Sequence, residues 1–534
     1  MKKDAFIKGA MISTICIVLA KILGILYVIP FNSIIGKEGG ALYGYAYNIY
    51  SIFLSLSTVG IPMAISKLVS EYTAKGYNDV VKRGYKIAII LTSIVALIFT
   101  ILLLFFAPQF AVIIKGDIVG GNSLEDIAYV IRISAIAIIF TTFLSNIRGY
   151  LQGQKYIKHT SISQVIEQFV RVLVIIFGSL IFIKLFGVKE AVGAAVFGAT
   201  LGGISAIIYL LCIHKKQLVI KKEKNITEEE KKITNKFLFK KIISYSIPLV
   251  IMSCIASLYI MVDLSTVIKT LVNKLYFSIE DAEYIMSCIS TWGAKLNVIV
   301  TSISAGIGVS LLPNITTDYA VNDLDGVRDK TSKIISMLLL IVIPMVVGLS
   351  VLSEPVWNVF YGNNALGISV FKVSIFTALF CSLFNCVMII MQSINRYKTI
   401  YLCLVLGIIS KIALNIPFMI LFDKIGLNAY WGASLATIIG YTVSLIICFI
   451  DLKKIINIKY KNIVKNILIS VIASIIMFVV IYLLQNIIVL NTSSRIISII
   501  EIAIYAIVGI LIYAFILYKA KILIPMINEL KKGR

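Results

Sequence analysis

Histidine is almost missing from this chain: His159 and His214 are the only two in 534 residues. A histidine-based metal site or a Ser–His–Asp triad needs more than that, so soluble-style catalysis is nearly excluded. Charge is scarce too, at 14% of residues, and acids are the scarcer sign, with 26 Asp and Glu against 50 Lys and Arg. The eight cysteines (Cys16, Cys212, Cys254, Cys288, Cys381, Cys386, Cys403 and Cys448) all lie in apolar runs without CxxC spacing or a nearby His. They read as small packing residues, not as disulfides or metal ligands. The net charge of +24 falls in short clusters between apolar runs, where anionic lipid headgroups sit, which argues against nucleic acid as a partner.

What is present is hydrophobic surface: 59% of residues, with a mean hydropathy of +0.98. The bilayer is the solvent. At about 20 apolar residues per spanning helix plus a short connection, the chain has room for about fourteen spans and no sizeable soluble domain. Met1-Lys2-Lys3 mimics the start of a signal peptide, but Lys8 and Lys21 interrupt the apolar run and no cleavage site follows, so it reads as the first membrane helix. Apolar runs predict helices over 7–30, 41–70, 85–107, 126–150, 160–184, 191–213, 242–268, 282–311, 333–352, 366–393, 399–422, 428–450, 463–485 and 496–518. Lys and Arg concentrate after the even-numbered helices (Lys82 and Arg83, Arg148 and Lys155, the Lys-rich segment up to Lys241, Arg328, Arg396, Lys453). By the positive-inside rule both termini are cytoplasmic, in a multi-pass protein of the cell membrane.

Compared with itself, the sequence repeats at an offset of about 240 residues, the pattern of many transporters. Glu71-Tyr72 answers Asp318-Tyr319, Leu151-Gln152-Gly153 answers Met391-Gln392-Ser393, and Gly193-Ala194-Ala195 answers Gly432-Ala433-Ser434. The fold class that follows is an all-α polytopic membrane protein with two parallel, pseudo-symmetric six-helix lobes and two extra C-terminal helices. The lobes cover 1–213 and 242–455, a basic cytoplasmic linker covers 214–241, and 456–534 holds the last two helices and the tail.

A charged residue near a helix centre costs about 2.5–3.5 kcal/mol on insertion scales and needs a partner or a wet cavity. Six qualify: Lys21, Glu167, Arg171, Asp263, Lys295 and Lys411. Glu167 and Arg171 stand four apart and can pair on one helix face, and Asp263 can neutralise one lysine. Lys67 with Glu71, and Arg132, read as interfacial side chains. The surplus of cations at membrane depth implies an anionic ligand in a cavity between the lobes. Gly60, Pro62, Gly306, Gly308 and Pro344 suit hinge positions or, equally, close helix packing.

Ala20-Lys21-Ile22-Leu23-Gly24, Tyr43-Gly44-Tyr45-Ala46-Tyr47, Gly60-Ile61-Pro62 through Glu71, and Trp292-Gly293-Ala294-Lys295-Leu296 leading to Ser310-Leu311-Leu312-Pro313 carry a resemblance. It is to the polysaccharide-exporter branch of the multidrug/oligosaccharidyl-lipid/polysaccharide flippase superfamily, within it the stage V sporulation protein B-like group related to lipid II flippases. The resemblance implies a non-enzymatic flippase that moves an undecaprenyl-pyrophosphate-linked saccharide from the inner to the outer leaflet by alternating access. It also implies that Lys21 and Lys295 match two basic residues of the family's central cavity, that the second helix-one arginine falls at Leu26 or Tyr27, and that the helix-two arginine has no basic counterpart. No cofactor is expected; a coupling ion, sodium or proton, or the membrane potential would drive the cycle. The alternatives are a cation-coupled multidrug exporter, which would want acids in its cavity, and a membrane glycosyltransferase or ligase, which would want a large outer loop.

Overall fold

The computed structural model describes residues 15–522 apart from 17, 59, 219–226, 459 and 488–493, and every regular element among them is helical. Two compact units divide the chain, Met1–Ile268 and Lys269–Arg534. Eleven helices among the described residues are long and apolar enough to cross a membrane. One of these stretches, Val18–Ala74, runs for 57 residues, too long for a single crossing, and it covers the first two spans expected from sequence. The expected spans 242–268 and 282–311 fall on helical backbone, with the side chains at 248, 249, 252, 254–256 and 305–311 outside the described ones, and residues 7–14 and 17 of the first expected span lie outside the described residues.

The connection expected over 31–40 does not exist as a loop. Helix Val28–Thr58 runs through it, broken only at Gly36, whose φ of 65° and ψ of −165° redirect the chain at a single residue. Only glycine enters that region without cost, which is why a turn here needs no run of polar residues.

Helix packing is inverted relative to a soluble protein. Helix Asn78–Phe105 buries Ala88, Thr92, Ala96 and Thr100 and exposes Ile90, Ile94, Leu97, Ile98 and Ile101. Lipid accepts the large apolar face, while small and hydroxylated residues let neighbouring backbones approach. Thr92 returns its hydroxyl to the Ala88 carbonyl at 2.8 Å and receives the Asn146 amide.

The internal repeat recurs in turn geometry. After Gly60–Ala74 the Tyr77 amide closes on the Tyr72 carbonyl at 3.0 Å with Gly76 at φ 76°, and after Gly293–Ala320 the Asp323 amide closes on Asp318 at 2.9 Å with Asn322 at φ 59°. The next pair matches as well. Tyr156 closes on Leu151 at 2.9 Å with Lys155 at φ 68°, and Arg396 on Met391 at 2.9 Å with Asn395 at φ 56°. Each is the 6→1 closure of a Schellman cap with a left-handed residue inside it.

Past the sixth long helix, Thr227 caps the short helix Glu228–Lys232, which docks on the first unit. Glu230 accepts the Asp79 amide at 3.0 Å, and Arg83 donates to the Ile233 carbonyl at 2.7 Å. Burial pushes the Glu230 carboxyl up, but the Thr227 and Asp79 amides outweigh it and hold it below the ordinary range. Helix Asn235–Leu275 follows, with Lys241 on Glu71 at 2.7 Å. Gly60 lies so close to it that a Cβ would stand 3.0 Å from the Ser246 carbonyl and overlap Val250. Gly60 therefore packs tightly. Gly306 and Gly308 lie in helix Gly293–Ala320, over a stretch, 305–314, whose side chains are outside the described ones.

Candidate functional site

In the first unit, helices Leu124–Gly153 and Ile157–Leu173 double back through the Lys155 turn. This reversal sets Arg148 opposite Ser163 and Glu167. Its Nε donates to Ser163 Oγ at 2.8 Å and its Nη1 to Glu167 Oε2 at 2.8 Å, while Arg171 Nη2 donates to Glu167 Oε1 at 2.7 Å. One carboxylate thus serves two guanidiniums, all three side chains largely buried. The pair expected from the four-residue spacing is present. Arg148, read from sequence as a marker of the cytoplasmic face, instead lies inside the helix as the second cation of that pair.

The tyrosine-rich run of helix Val28–Thr58 meets this charge chain. Tyr43, Tyr47 and Tyr50 lie close enough to Arg171 to interact with it electrostatically. Tyr47 stacks on Tyr43 with ring centroids 5.7 Å apart, and the Tyr43 hydroxyl is 3.2 Å from that of Tyr27. Lys21 projects as an exposed side chain from the preceding helical turns. Three residues on, the Cβ position of Gly24 is 3.8 Å from Gln168, so that segment packs beside the helix carrying Glu167. Asp263 is 5% exposed in helix Asn235–Leu275.

Beside the charge chain, still within the first unit, opens a cleft of about 710 Å³. Arg148, Lys67, Glu71, Gln152, Gln164 and several serines line it. Its floor is the crossing of Gly60–Ala74 with Leu124–Gly153, where a Cβ on Gly149 would run into the Pro62 carbonyl. Lys67 sits 4.2 Å above the Tyr245 ring, and Glu71 is held by Lys241.

The second unit handles its cations differently. Lys411 is 0% exposed, and its ammonium donates to Asn415 Oδ1 at 2.9 Å, the Ala433 carbonyl at 2.9 Å and Thr437 Oγ1 at 2.7 Å. Three neutral oxygens between helices Tyr397–Lys424 and Ala429–Ile456 are thus among its partners. This geometry makes it a bolt between two helices. Lys295, half-buried, lies 5.0 Å from the Trp292 ring centre.

An apolar groove of about 430 Å³ runs along the second unit among helices Leu324–Val351, Tyr460–Ile487 and Arg495–Lys519. Pro344 lines it, and having no N–H it leaves the Leu340 carbonyl without a helical donor. The Tyr513 hydroxyl fills that role at 2.7 Å and lies 2.8 Å from the Ser470 hydroxyl, so Ser470 is the donor in that second bond. The proline-bearing turn and the last two helices are therefore tied together by one side chain.

Comparison with known proteins agrees with this picture. A family model described as "Polysaccharide biosynthesis protein" matches residues 6–279. The lipid II flippase MurJ of Bacillus subtilis (strain 168) is 30% identical over 468 residues, covering 86% of this chain and 84% of that one. Stage V sporulation protein B of the same organism is 32% identical over 248 residues, 46% of each chain. Among solved structures, lipid II flippase MurJ in an inward closed conformation aligns with a TM-score of 0.67 at 16% identity, over 95% of this chain and 98% of that chain. An inward-facing multidrug resistance MATE transporter aligns at 0.64 and 15% identity, over 83% of this chain and 98% of that chain. A multi-pass helical chain that matches the family model over half its length, and a full-length relative at this identity, belongs to the polysaccharide biosynthesis protein family, within the multidrug/oligosaccharidyl-lipid/polysaccharide flippase superfamily.

Proposed function

We propose that this protein is a flippase that carries a polyprenyl-pyrophosphate-linked saccharide, lipid II or a close relative, from the inner to the outer leaflet by alternating access. The observation that carries the reading is that one chain holds both surfaces such an amphiphile needs. The first unit offers a polar, cation-bearing cleft, and the second an apolar groove long enough for part of a lipid tail. Lys21 and Lys295 act as phosphate-binding cations, since an ammonium is a strongly hydrated point charge suited to reversible binding in a wet cavity. Arg171 and Glu167 support the headgroup site, with Tyr27 and Asp263 beside them. Gly60, Pro62, Gly306 and Gly308 lie in the moving helices. With both termini cytoplasmic, an inside-negative potential favours outward movement of a pyrophosphate by about 2.3 kcal/mol per charge per 100 mV, and a sodium ion or proton would supply further coupling. The surplus of bases over acids at membrane depth counts against an exporter of cationic drugs.

Bacteria depleted of their own lipid II flippase should grow when this protein is expressed. At matched membrane levels, Lys21→Ala and Lys295→Ala should each lower plating efficiency at least about tenfold, the scale of one charge-assisted hydrogen bond. Full rescue by both variants would remove these lysines from the site, and no rescue by well-expressed wild type would move the substrate to another lipid-linked saccharide.

The groove gives a separate test. Gly509 faces Met477 and Ile481 at 3.1–3.4 Å from its Cβ position, so Gly509→Phe fills the groove with an aromatic ring. Rescue should be lost while binding of a tail-free pyrophosphate is unchanged. Undiminished growth with that variant would detach the groove from transport.

A further inference from the structure

Arg171 Nε and Arg148 Nη2 are both buried without a hydrogen-bond partner among the described residues, and of the two arginines it is Arg148 that lines the cleft, its Nε committed to Ser163 and its Nη1 to Glu167. A desolvated cationic N–H without an acceptor is costly and is normally retained only where something supplies the acceptor. The described residues do not supply it. The one carboxylate within reach, Glu167, already gives both oxygens to the two arginines. The carboxylate that lines the cleft, Glu71, is held by Lys241 at 2.7 Å and by Lys75 at 3.8 Å. Arg148 and Arg171 thus share Glu167, Lys241 and Lys75 share Glu71, and Lys67 adds a further cation to the lining, over the Tyr245 ring. The remaining lining side chains beside Arg148 are the amides of Gln152 and Gln164 and the Ser145 hydroxyl, which pair with hydroxyls as readily as with anions.

We infer that the first unit alone contains an oxyanion subsite for the saccharide headgroup, with Arg148 Nη2 as its anchoring donor and Gln152 and Gln164 as its sugar-facing amides. This rests on the flippase reading and extends it. Headgroup recognition begins in a cleft built from helices of one unit, with cations other than Lys21 and Lys295. The anion it takes is a phosphate or carboxylate oxygen, since a guanidinium with one free edge accepts either.

The test uses the full-length protein in lipid nanodiscs carrying Ser145→Cys, with the alkylation rate of that thiol read by mass spectrometry of its peptide. Inorganic pyrophosphate and glucuronic acid serve as the phosphate and carboxylate probes, and glucose as the neutral control. At least one of the two anions should slow alkylation about tenfold, and which one does so identifies the source of the oxyanion. The protection should disappear with Arg148→Gln and persist with Lys231→Ala, an exposed cation paired with Glu228 away from the cleft. Because Arg148→Gln also disturbs Glu167, Arg148→Lys is the companion variant: it keeps a cation but lacks the fork, and should retain only part of the protection. No slowing by either anion, slowing equal to that by glucose, or slowing that survives Arg148→Gln overturns the inference. Failed growth rescue with protection intact would overturn the flippase reading and leave the subsite standing.

Discussion

Glu167→Gln is expected to be the most damaging single substitution in the first unit, lowering stability by about 3–5 kcal/mol, the usual cost of removing one partner from a buried ion cluster. Arg148 and Arg171 both point at this carboxylate at 2.7–2.8 Å, and their side chains are only 14% and 22% exposed. Without it, two guanidiniums face each other in a setting where Arg171's other electrostatic neighbours include Tyr43, Tyr47 and Tyr50. A glutamine keeps the shape and one acceptor oxygen but not the charge. Arg148→Gln should be milder, because Glu167 keeps Arg171, and the double variant Glu167→Gln with Arg148→Gln should recover part of the loss by removing one of the two stranded cations. Thermal unfolding of the purified protein in detergent measures all three. A Glu167→Gln protein that melts with wild type would mean the cluster is held together by something other than this charge.

Gly149→Val should abolish growth rescue and destabilise the fold by about 1–3 kcal/mol, the range for forcing extra atoms into a packed interior. The atom in the way is backbone. Any Cβ at 149 overlaps the Pro62 carbonyl oxygen, and one turn on, a Cβ at Gly153 would lie 2.7 Å from the Ser66 carbonyl. A flexible side chain could swing aside, whereas two helices at their closest approach can only separate. Separation widens the floor of the polar cleft and pulls Arg148, next in the chain, away from Ser163. The expected signature is therefore lost transport with a folded, less stable protein, read by plating and by melting temperature on the same preparation. Growth at the wild-type level with Gly149→Val would show that the crossing tolerates separation and that the cleft does not depend on it.

Much of this architecture was legible in the sequence because lipid leaves few options: apolar runs must be helices, and their boundaries are marked by charge. The repeat was legible in Glu71-Tyr72 against Asp318-Tyr319, since the same turn chemistry closes the same helix end twice. The Glu167–Arg171 pair followed from helical spacing alone. Arg148 escaped because the positive-inside pattern already accounts for an arginine near a helix end. What places it opposite Glu167 is the turn at Lys155, a left-handed residue that is not glycine and so leaves little trace in sequence. Lys411 was singled out as a charge at membrane depth, but its bonds to a carbonyl and two neutral side chains were not legible, because a search for charges to balance charges does not count neutral oxygens. The Gly36 break was hidden because a single glycine can do the work of a loop.

Read from sequence as the start of the second lobe, the helix Asn235–Leu275 through residue 268 belongs to the first compact unit, with Lys241 on Glu71, the Ser246 backbone against Gly60 and Ser253 donating to the Ser55 carbonyl at 3.4 Å. On the ribosome this imposes an order. The preceding helices can enter the bilayer as they are made, but their unit stays open along the Gly60 face until the chain has been extended past the docked strap and one helix further. From the synthesis of Glu71 to that of Ser253, roughly 9–36 s at about 5–20 residues per second, the small-residue face of Gly60 and the Glu71 carboxylate wait for a segment still being synthesised. The first unit is thus a product of late translation, and its quality control cannot be complete until half of the protein exists.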